Sequence, residues 1–387
     1  MLRPTSPLDN LFHRYGLDRP SGFRPVDAGL LNRSYQVTAG GRRYFLKHYL
    51  PWRGGTGAGL PDEHGRPRSG DATIRWQHDA AIARAATGFP AVAPLRDASG
   101  ETLVHVRNRP FAVFPWLDGA HRAGTDMNPL SAKHLGDLLA RLHSGLASVL
   151  PPVPQPLFVP TKSDRQTVGE ADQLLALVRA RQTPDEMDEL AEYRLCERRR
   201  LVPEVAHRRP GPDVLGTVGY IHGDFHMGNV FWSSTEPDSR VTAVLDWEKT
   251  AVGPYGDEVV SAAVVFFTDQ HTGIPDLELI RAFVGGYAAA RPQLSATEIT
   301  AAVHRVWWER LTDFWILVWR YQLGDPRPDS LFPGTAALVP WWTDNYEKVL
   351  EAFLDGARPR VPAARRTPEA SPLISSLTNA VIGRVYR

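Results

Sequence analysis

Residues 220–232 read Tyr-Ile-His-Gly-Asp-Phe-His-Met-Gly-Asn-Val-Phe-Trp, and the rest of the chain is best interpreted outward from them. This stretch places one acid, Asp224, five residues before an amide, Asn229, in a predicted short loop between two apolar runs. Fourteen residues after Trp232, a second strand-like run ends at Asp246 in Val-Leu-Asp-Trp-Glu. The pattern predicts two hairpin-related strands, the first carrying an acid and an amide and the second an acid.

These residue types suit the transfer of a phosphoryl group from a nucleotide–Mg²⁺ complex. One carboxylate orients and deprotonates the acceptor hydroxyl, while an amide and a second carboxylate hold Mg²⁺ against the phosphates. Magnesium takes oxygen ligands and few of them from protein, so Asn plus Asp is a sufficient set. We therefore predict Asp224 as the catalytic base and Asn229 and Asp246 as Mg²⁺ ligands. The alternative is that His222, Asp224 and Asn229 only cap a buried turn.

The order His-Gly-Asp-x-His-x-x-Asn, followed by Asp-Trp-Glu, resembles the aminoglycoside phosphotransferase and choline kinase family, which is related to the protein kinases. The resemblance extends over roughly residues 22–320 and implies an α+β, bilobal protein-kinase-like fold. A small lobe of antiparallel sheet, residues 1–116, would bind nucleotide, and a larger, mainly helical lobe, residues 117–356, would carry catalysis and the acceptor site. Residues 357–387 are predicted to be a flexible tail. The cofactors implied are ATP and Mg²⁺.

Alternating residues before and after Ala39-Gly40-Gly41 predict a β-hairpin whose second strand ends near Lys47. A lysine on such a strand can pair with the α- and β-phosphates of the nucleotide. The resemblance further implies that Gly29 and Asn32 belong to a loop over the phosphates. It also implies that an interlobe hinge holds the adenine, formed by Phe114, Trp116 and Leu117.

One helix departs from the family pattern. Residues 51–70 contain six glycines and three prolines and are predicted to form a mobile loop, followed by a helix over residues 72–87 with Asp71 as N-cap. The family helix ordinarily offers a glutamate to the phosphate-binding lysine, but this helix contains none. We expect Asp79, the nearest acid, to pair with Lys47, and Gln77 to occupy the place of the missing glutamate.

Three further residues are assigned supporting roles. Asp257 directly precedes an apolar helix, and the resemblance implies a buried anchor that hydrogen-bonds the catalytic loop. His222 lies two residues before Asp224 and is predicted to support the same loop. His226 either orients the loop backbone or takes part in the chemistry, and the sequence leaves both open.

Residues 306–321 form an aromatic run that predicts one helix, with Trp308 and Trp315 on the same face. Such a face is typical of a core helix. Because the family builds its acceptor pocket from helices of the larger lobe, the run is also a candidate acceptor wall, with Trp308, Glu309, Asp313 and Trp315 as contacts.

The composition limits the class of protein. The chain has 387 residues, of which 43% are hydrophobic and 22% charged, as in an ordinary globular protein. The formal net charge of +1 argues against a broad nucleic-acid or membrane surface. Cys196 is the only cysteine, which excludes disulfides within the chain and favours a reducing compartment. With no apolar N-terminal segment, a cytoplasmic protein is expected. The many Ala, Arg, Gly and Pro residues point to a bacterial genome rich in G and C.

The acceptor is left open by the sequence. We predict transfer of the γ-phosphoryl group of ATP to a hydroxyl of a small molecule such as an antibiotic, an amino alcohol or a sugar. One alternative is a kinase for Ser or Thr of a ribosomal peptide, working beside a partner lyase. Another is a non-catalytic nucleotide-binding scaffold, although its motifs would normally have lost Asp224 or Asp246.

Overall fold

The computed structural model describes residues 7–26, 29–50, 70–153, 158–213, 216–291 and 293–358. The predicted mobile loop, apart from Gly70, and the predicted tail beyond Arg358 lie outside the described residues. The elements of the N-terminal part are α1 (Pro7–Arg14), β1 (Pro20–Val26), β2 (Arg33–Ala39), β3 (Arg42–His48), α2 (Asp71–Ala86), β4 (Val104–Val106) and β5 (Arg109–Pro115).

These strands form one antiparallel sheet in the order β1-β2-β3-β5-β4. The predicted hairpin is confirmed as β2 and β3, and Lys47 lies near the end of β3 between Ser34 of β2 and Ala112 of β5. The helix predicted over residues 72–87 is present as α2. Its N-cap is Gly70 rather than Asp71, and no side chain bonds to the cap.

The rest of the described chain is mainly helical, with short strand pairs. Its helices are α3 (Pro129–Val149), α4 (Asp164–Arg179), α5 (Glu186–Glu204), α6 (Tyr255–Phe267), α7 (Leu277–Ala290), α8 (Ala296–Thr312), α9 (Trp315–Tyr321), α10 (Phe332–Asp344) and α11 (Tyr346–Ala357). Its strands are β6 (Val218–Ile221), β7 (Val230–Trp232), β8 (Val241–Val244) and β9 (Ala251–Pro254). Strand β6 pairs with β9 and strand β7 with β8, both antiparallel.

The prediction of one helix over residues 306–321 is wrong, because the run is divided into α8 and α9. Asp313 follows α8 with an extended backbone, φ −96° and ψ 135°. Its side chain accepts a hydrogen bond from the Trp315 amide at 3.0 Å. A short acidic side chain that bonds to the backbone two residues ahead favours a turn over a continuous helix, so the chain changes direction here.

The main core lies among the helices of the larger part. Helices α3 and α7 approach closely at two glycines: a Cβ on Gly136 would lie 1.8 Å from the Phe283 carbonyl oxygen, and one on Gly286 would lie 1.9 Å from the Lys133 carbonyl oxygen. No larger residue fits at either position, so these glycines set the distance between the two helices. No helix among the described residues is both long enough and apolar enough to cross a lipid bilayer.

Candidate active site

The predicted catalytic loop joins β6 to β7. Gly223 has φ +78°, and a Cβ there would lie 2.2 Å from the Lys249 carbonyl oxygen, so the turn before Asp224 requires glycine. The loop then makes a short 3₁₀ turn from Met227 to Asn229, with His226 as its N-cap. The Nδ1 atom of His226 accepts a hydrogen bond from the Gly228 amide at 3.0 Å, so this side chain does orient the loop backbone.

The Asp224 carboxylate is partly exposed and surrounded by hydrogen-bond donors. Its side chain is 23% exposed, and Oδ1 accepts a hydrogen bond from Lys249 Nζ at 2.8 Å. Oδ2 lies 3.7 Å from His226 Nε2 and 3.3 Å from Asn229 Nδ2. Burial raises the pKa of Asp224, but the nearby His226 imidazole and the hydrogen-bonded, charged Lys249 outweigh it, and the pKa lies well below its ordinary value. Asp224 is therefore ionised at neutral pH.

Backbone and side-chain bonds bring the segment of Asp246 beside the segment of Asn229. The Leu245 amide donates to the Asn229 carbonyl at 2.8 Å. The fully buried His222 donates from Nε2 to the Leu245 carbonyl at 3.0 Å, which ties the start of the catalytic loop to the end of the second strand. Asp246 itself has φ +53°, an uncommon conformation for a residue other than glycine, and its carboxylate lies beside Lys47.

Asn229 and Asp246 supply oxygen atoms that suit Mg²⁺. The amide nitrogen of Asn229 donates to the Asp224 carbonyl at 2.9 Å, which leaves the amide oxygen on the opposite side. Among the described residues, no group of three or more His, Cys, Asp or Glu side chains is placed to hold a metal ion. A two-ligand arrangement fits Mg²⁺, since this ion keeps waters and substrate phosphates in its remaining positions.

The anchor of the catalytic loop is Glu258, not Asp257 as the sequence predicted. The buried Glu258 carboxylate accepts from the amides of His222 and Gly223 and lies 2.6 Å from His143 Nε2. Burial raises the pKa of Glu258, but the hydrogen bond and charge of His143 bring the net shift below the ordinary value. Asp257 instead pairs with Arg305 of α8 at 3.1 Å. Consecutive residues of a helix point about 100° apart, so only one of the two acids can face the loop.

The expected pair between Lys47 and Asp79 does not form. Asp79 is exposed and pairs with Arg96 at 2.9 Å, because its side chain lies on the outer face of α2. Lys47 Nζ instead lies 3.0 Å from Asp246 Oδ1 and 2.5 Å from Glu248 Oε1. Burial lowers the pKa of Lys47, but these two carboxylates outweigh it and raise the pKa above its ordinary value.

Residues 29–32, which precede β2, are linked to the surroundings of Lys47 through Asn32. Gly29 has φ +83°, a conformation that favours glycine. The Asn32 side chain is bound to protein at both ends: Oδ1 accepts from the Leu50 amide at 3.0 Å, and Nδ2 donates to Glu248 Oε2 at 2.6 Å. Asn32 therefore holds other site residues in place, which the family resemblance did not indicate.

The predicted hinge begins within β5 at Phe114 and continues past the end of the strand, and its side chains are half-buried. The ring of Phe114 packs edge-on against Phe45 at a centroid distance of 6.3 Å. The Trp116 amide donates to the Arg43 carbonyl at 3.4 Å, so this end of the sheet stays attached to β3. Leu117 is half-buried beside it. The hinge residues thus lie at the end of β5, where Pro115 pairs with Tyr44 of β3, the strand that also carries Lys47.

The four acceptor candidates do not form one wall. Trp308 is 1% exposed and donates from Nε1 to the Lys162 carbonyl at 2.9 Å, so it belongs to the core and cannot contact an acceptor. Trp315 is half-buried on α9. Glu309 is exposed, although partial loss of hydration raises the pKa of its carboxyl group. Burial likewise raises the pKa of Asp313.

Two residues that the sequence did not single out complete the site. Glu248 lies two positions after Asp246, inside the quoted Asp-Trp-Glu motif, and Lys249 follows it. The motif itself was the available signal for Glu248. No local pattern indicated Lys249, because its contact with Asp224 spans 25 residues and depends on the turn after β8.

Residues 22–293 match the family described as the phosphotransferase enzyme family. The chain belongs to this family. The structure of this phosphotransferase is similar to that of a spectinomycin phosphotransferase in complex with ADP and spectinomycin, with a TM-score of 0.55, 16% sequence identity, and coverage of 92% of this chain and 99% of the other. A microcompartment-associated aminopropanol kinase gives a TM-score of 0.55 at 17% identity, covering 91% and 98% of the two chains.

An aminoglycoside phosphotransferase from Alicyclobacillus acidocaldarius gives a TM-score of 0.50 at 14% identity, covering 92% of this phosphotransferase and 96% of that chain. No curated protein matches. At these identities the likenesses establish the fold, and the predicted bilobal protein-kinase-like fold is confirmed.

Proposed function

We propose that this phosphotransferase moves the γ-phosphoryl group of ATP to a hydroxyl group of a small molecule, with Mg²⁺ as cofactor. The observation that supports this most is the ionised, partly exposed Asp224 carboxylate, held beside Asn229 in a loop that His222 ties to the segment of Asp246. That arrangement offers one carboxylate to the acceptor and leaves an amide and a second carboxylate for the metal.

Asp224 would accept a hydrogen bond from the acceptor hydroxyl and take its proton. Because hydrogen bonding and Lys249 hold the pKa of Asp224 low, it is a weak base, and its main contribution would be orientation of the nucleophile. This suits a reaction whose transition state is loose, in which the proton leaves the hydroxyl late.

Asn229 and Asp246 would hold Mg²⁺, which neutralises negative charge on the phosphates when it is bound. Lys47 would pair with the phosphates from β3. The hinge at Phe114, Trp116 and Leu117 would receive the adenine. We place the boundary between the nucleotide-binding lobe and the acceptor-binding lobe at residue 116, directly after β5.

The acceptor we propose is an antibiotic, an amino alcohol or a sugar. The single cysteine and the absence of a described membrane-spanning helix are compatible with the cytoplasmic location that we propose.

The test is incubation with γ-labelled ATP, Mg²⁺ and panels of antibiotics, amino alcohols, sugars and Ser/Thr peptides. We expect label on a small molecule, and Asp224→Asn should lower that turnover by about 10²–10⁴-fold with nearly unchanged ATP binding. Asp137→Asn, an exposed acid paired with Arg141 on α3, is the control and should behave as the parent. Label on peptides alone, or ATP binding with label on no acceptor, would contradict the proposal.

A further inference from the structure

Glu248 connects three segments that surround Lys47. Its Oε1 lies 2.5 Å from Lys47 Nζ of β3. Its Oε2 accepts a hydrogen bond from Asn32 Nδ2, in the loop before β2, at 2.6 Å. Its backbone carbonyl accepts from Gln77 Nε2 of α2. With 19% side-chain exposure, Glu248 is an interior group whose two carboxylate oxygens are each assigned to one partner.

Lys47 needs such a partner because it is itself almost inaccessible. Its side chain is 10% exposed, and a buried ammonium group is strongly disfavoured unless an acid compensates it. Asp246 provides one carboxylate at 3.0 Å, but this is also the residue proposed to bind Mg²⁺. If Asp246 were to bind Mg²⁺, Glu248 would remain as the acid beside the lysine.

Helix α2 does not supply this acid. Gln77, 7% exposed, is the α2 side chain that reaches the segment after β8, and it is neutral. Asp79 pairs with Arg96 on the outer face. Within the part of the chain that the structure describes, Asp246 and Glu248 are the carboxylates within 4.0 Å of Lys47 Nζ.

We propose that Glu248 is the positioning residue of Lys47, acting from the segment that carries the metal ligand instead of from the helix of the small lobe. This inference rests on the proposed function. Asn32 holds the Glu248 carboxylate in place, and Gln77 holds its backbone. The side chain that fixes the phosphate-binding lysine therefore belongs to the larger lobe, so the lysine and the metal-binding carboxylate are aligned by a single short segment.

A double-mutant cycle on ATP binding and turnover tests this. Glu248→Gln, which keeps the shape and removes the charge, should raise the KM for ATP·Mg²⁺ by about 10–100-fold, the usual effect of losing an orienting partner. In a Lys47→Gln background the same substitution should add less than about a twofold effect, because the group that it positions is already gone. Asp79→Asn, an exposed acid on α2, is the matched control and should leave the KM unchanged.

Two further measurements on each variant separate a positioning effect from a folding defect. Calorimetry gives the Kd for ATP·Mg²⁺, and the circular dichroism spectrum of the variant shows whether it is folded. An unchanged KM in Glu248→Gln would overturn the assignment of Glu248, and so would a double variant whose KM rises by the product of the two single effects. Neither result would affect the kinase activity of the parent. A parent protein that neither binds ATP·Mg²⁺ nor transfers label would overturn both this inference and the proposed function.

Discussion

Replacing Glu258 by glutamine tests which of two adjacent acids holds the catalytic loop. The Glu258 carboxylate accepts from the amides of His222 and Gly223 and from His143 Nε2. A glutamine of the same shape keeps only one oxygen and turns an NH₂ group toward one of these donors. At least one buried N–H group then loses its partner.

The magnitude follows from those bonds. An unpaired buried donor costs about 1–3 kcal/mol, and hydrogen bonds to a charged group are worth about 1.5–3 kcal/mol, so we expect Glu258→Gln to lower the free energy of unfolding by about 2–4 kcal/mol. The adjacent Asp257→Asn should change it by less than about 1 kcal/mol. Burial already raises the pKa of Asp257 to about 6 despite Arg305, so ionisation of this acid opposes folding at pH 7 and its removal offsets the lost ion pair.

Urea unfolding at pH 7, followed by tryptophan fluorescence, measures both variants against the parent at equal m-values. Turnover measured alongside should fall about tenfold or more in Glu258→Gln, since the anchored residues precede Asp224 directly. Equal losses of stability in the two variants, or a larger loss in Asp257→Asn, would refute the assignment of Glu258 as the anchor.

Three other outcomes are expected. Asp246→Ala should abolish the Mg²⁺-dependent part of ATP binding in calorimetry, and an unchanged Kd would exclude Asp246 as a metal ligand. Gly223→Ala should inactivate the enzyme and lower its Tm more than Gly88→Ala does. Gly88 shares φ +78°, but a Cβ there would have no atom within 4 Å, whereas a Cβ at Gly223 would clash with the Lys249 carbonyl. Equal losses of Tm would mean that backbone strain, and not this clash, accounts for the effect. Asp97 has its pKa lowered to about 2, because hydrogen bonds and Arg14 outweigh burial. The ionised Asp97 carboxylate therefore adds roughly 2 kcal/mol at most to the free energy of unfolding. This stabilisation is complete above the ordinary pKa of the group and is lost as pH falls through about 2. Parent and Asp97→Asn should differ in urea unfolding at pH 6 and converge near pH 2.

The sequence predicted those parts of the site that lie close together along the chain. Asp224 and Asn229 share one loop, and Asp246 follows one hairpin later, so their spacing alone indicated a common site. The strand that carries Lys47 was predictable for the same reason, since alternation and a glycine turn specify a hairpin locally.

The partners of these residues were not predictable in the same way. Glu248 reaches Lys47 across about 200 residues, and only the packing of the sheet against the segment after β8 brings them together. Choosing between Asp257 and Glu258 required the rotation of α6 about its axis, which depends on its tertiary contacts and not on its own residues. The break at Asp313 was missed because hydrophobic spacing continues across it, while a side-chain bond to the Trp315 amide redirects the backbone.

The anchoring network of Glu258 has a consequence for the order in which the protein gains activity during folding. His143 of α3 bonds both to Glu258 of α6 and to the Tyr287 hydroxyl of α7, contacts that span 115 and 144 residues. Contacts of such sequence separation form late, because closing long loops costs entropy before any packing rewards it. Helix content should therefore recover before the catalytic loop is held, and phosphoryl transfer should return only in the last phase of refolding, when α3, α6 and α7 have packed together.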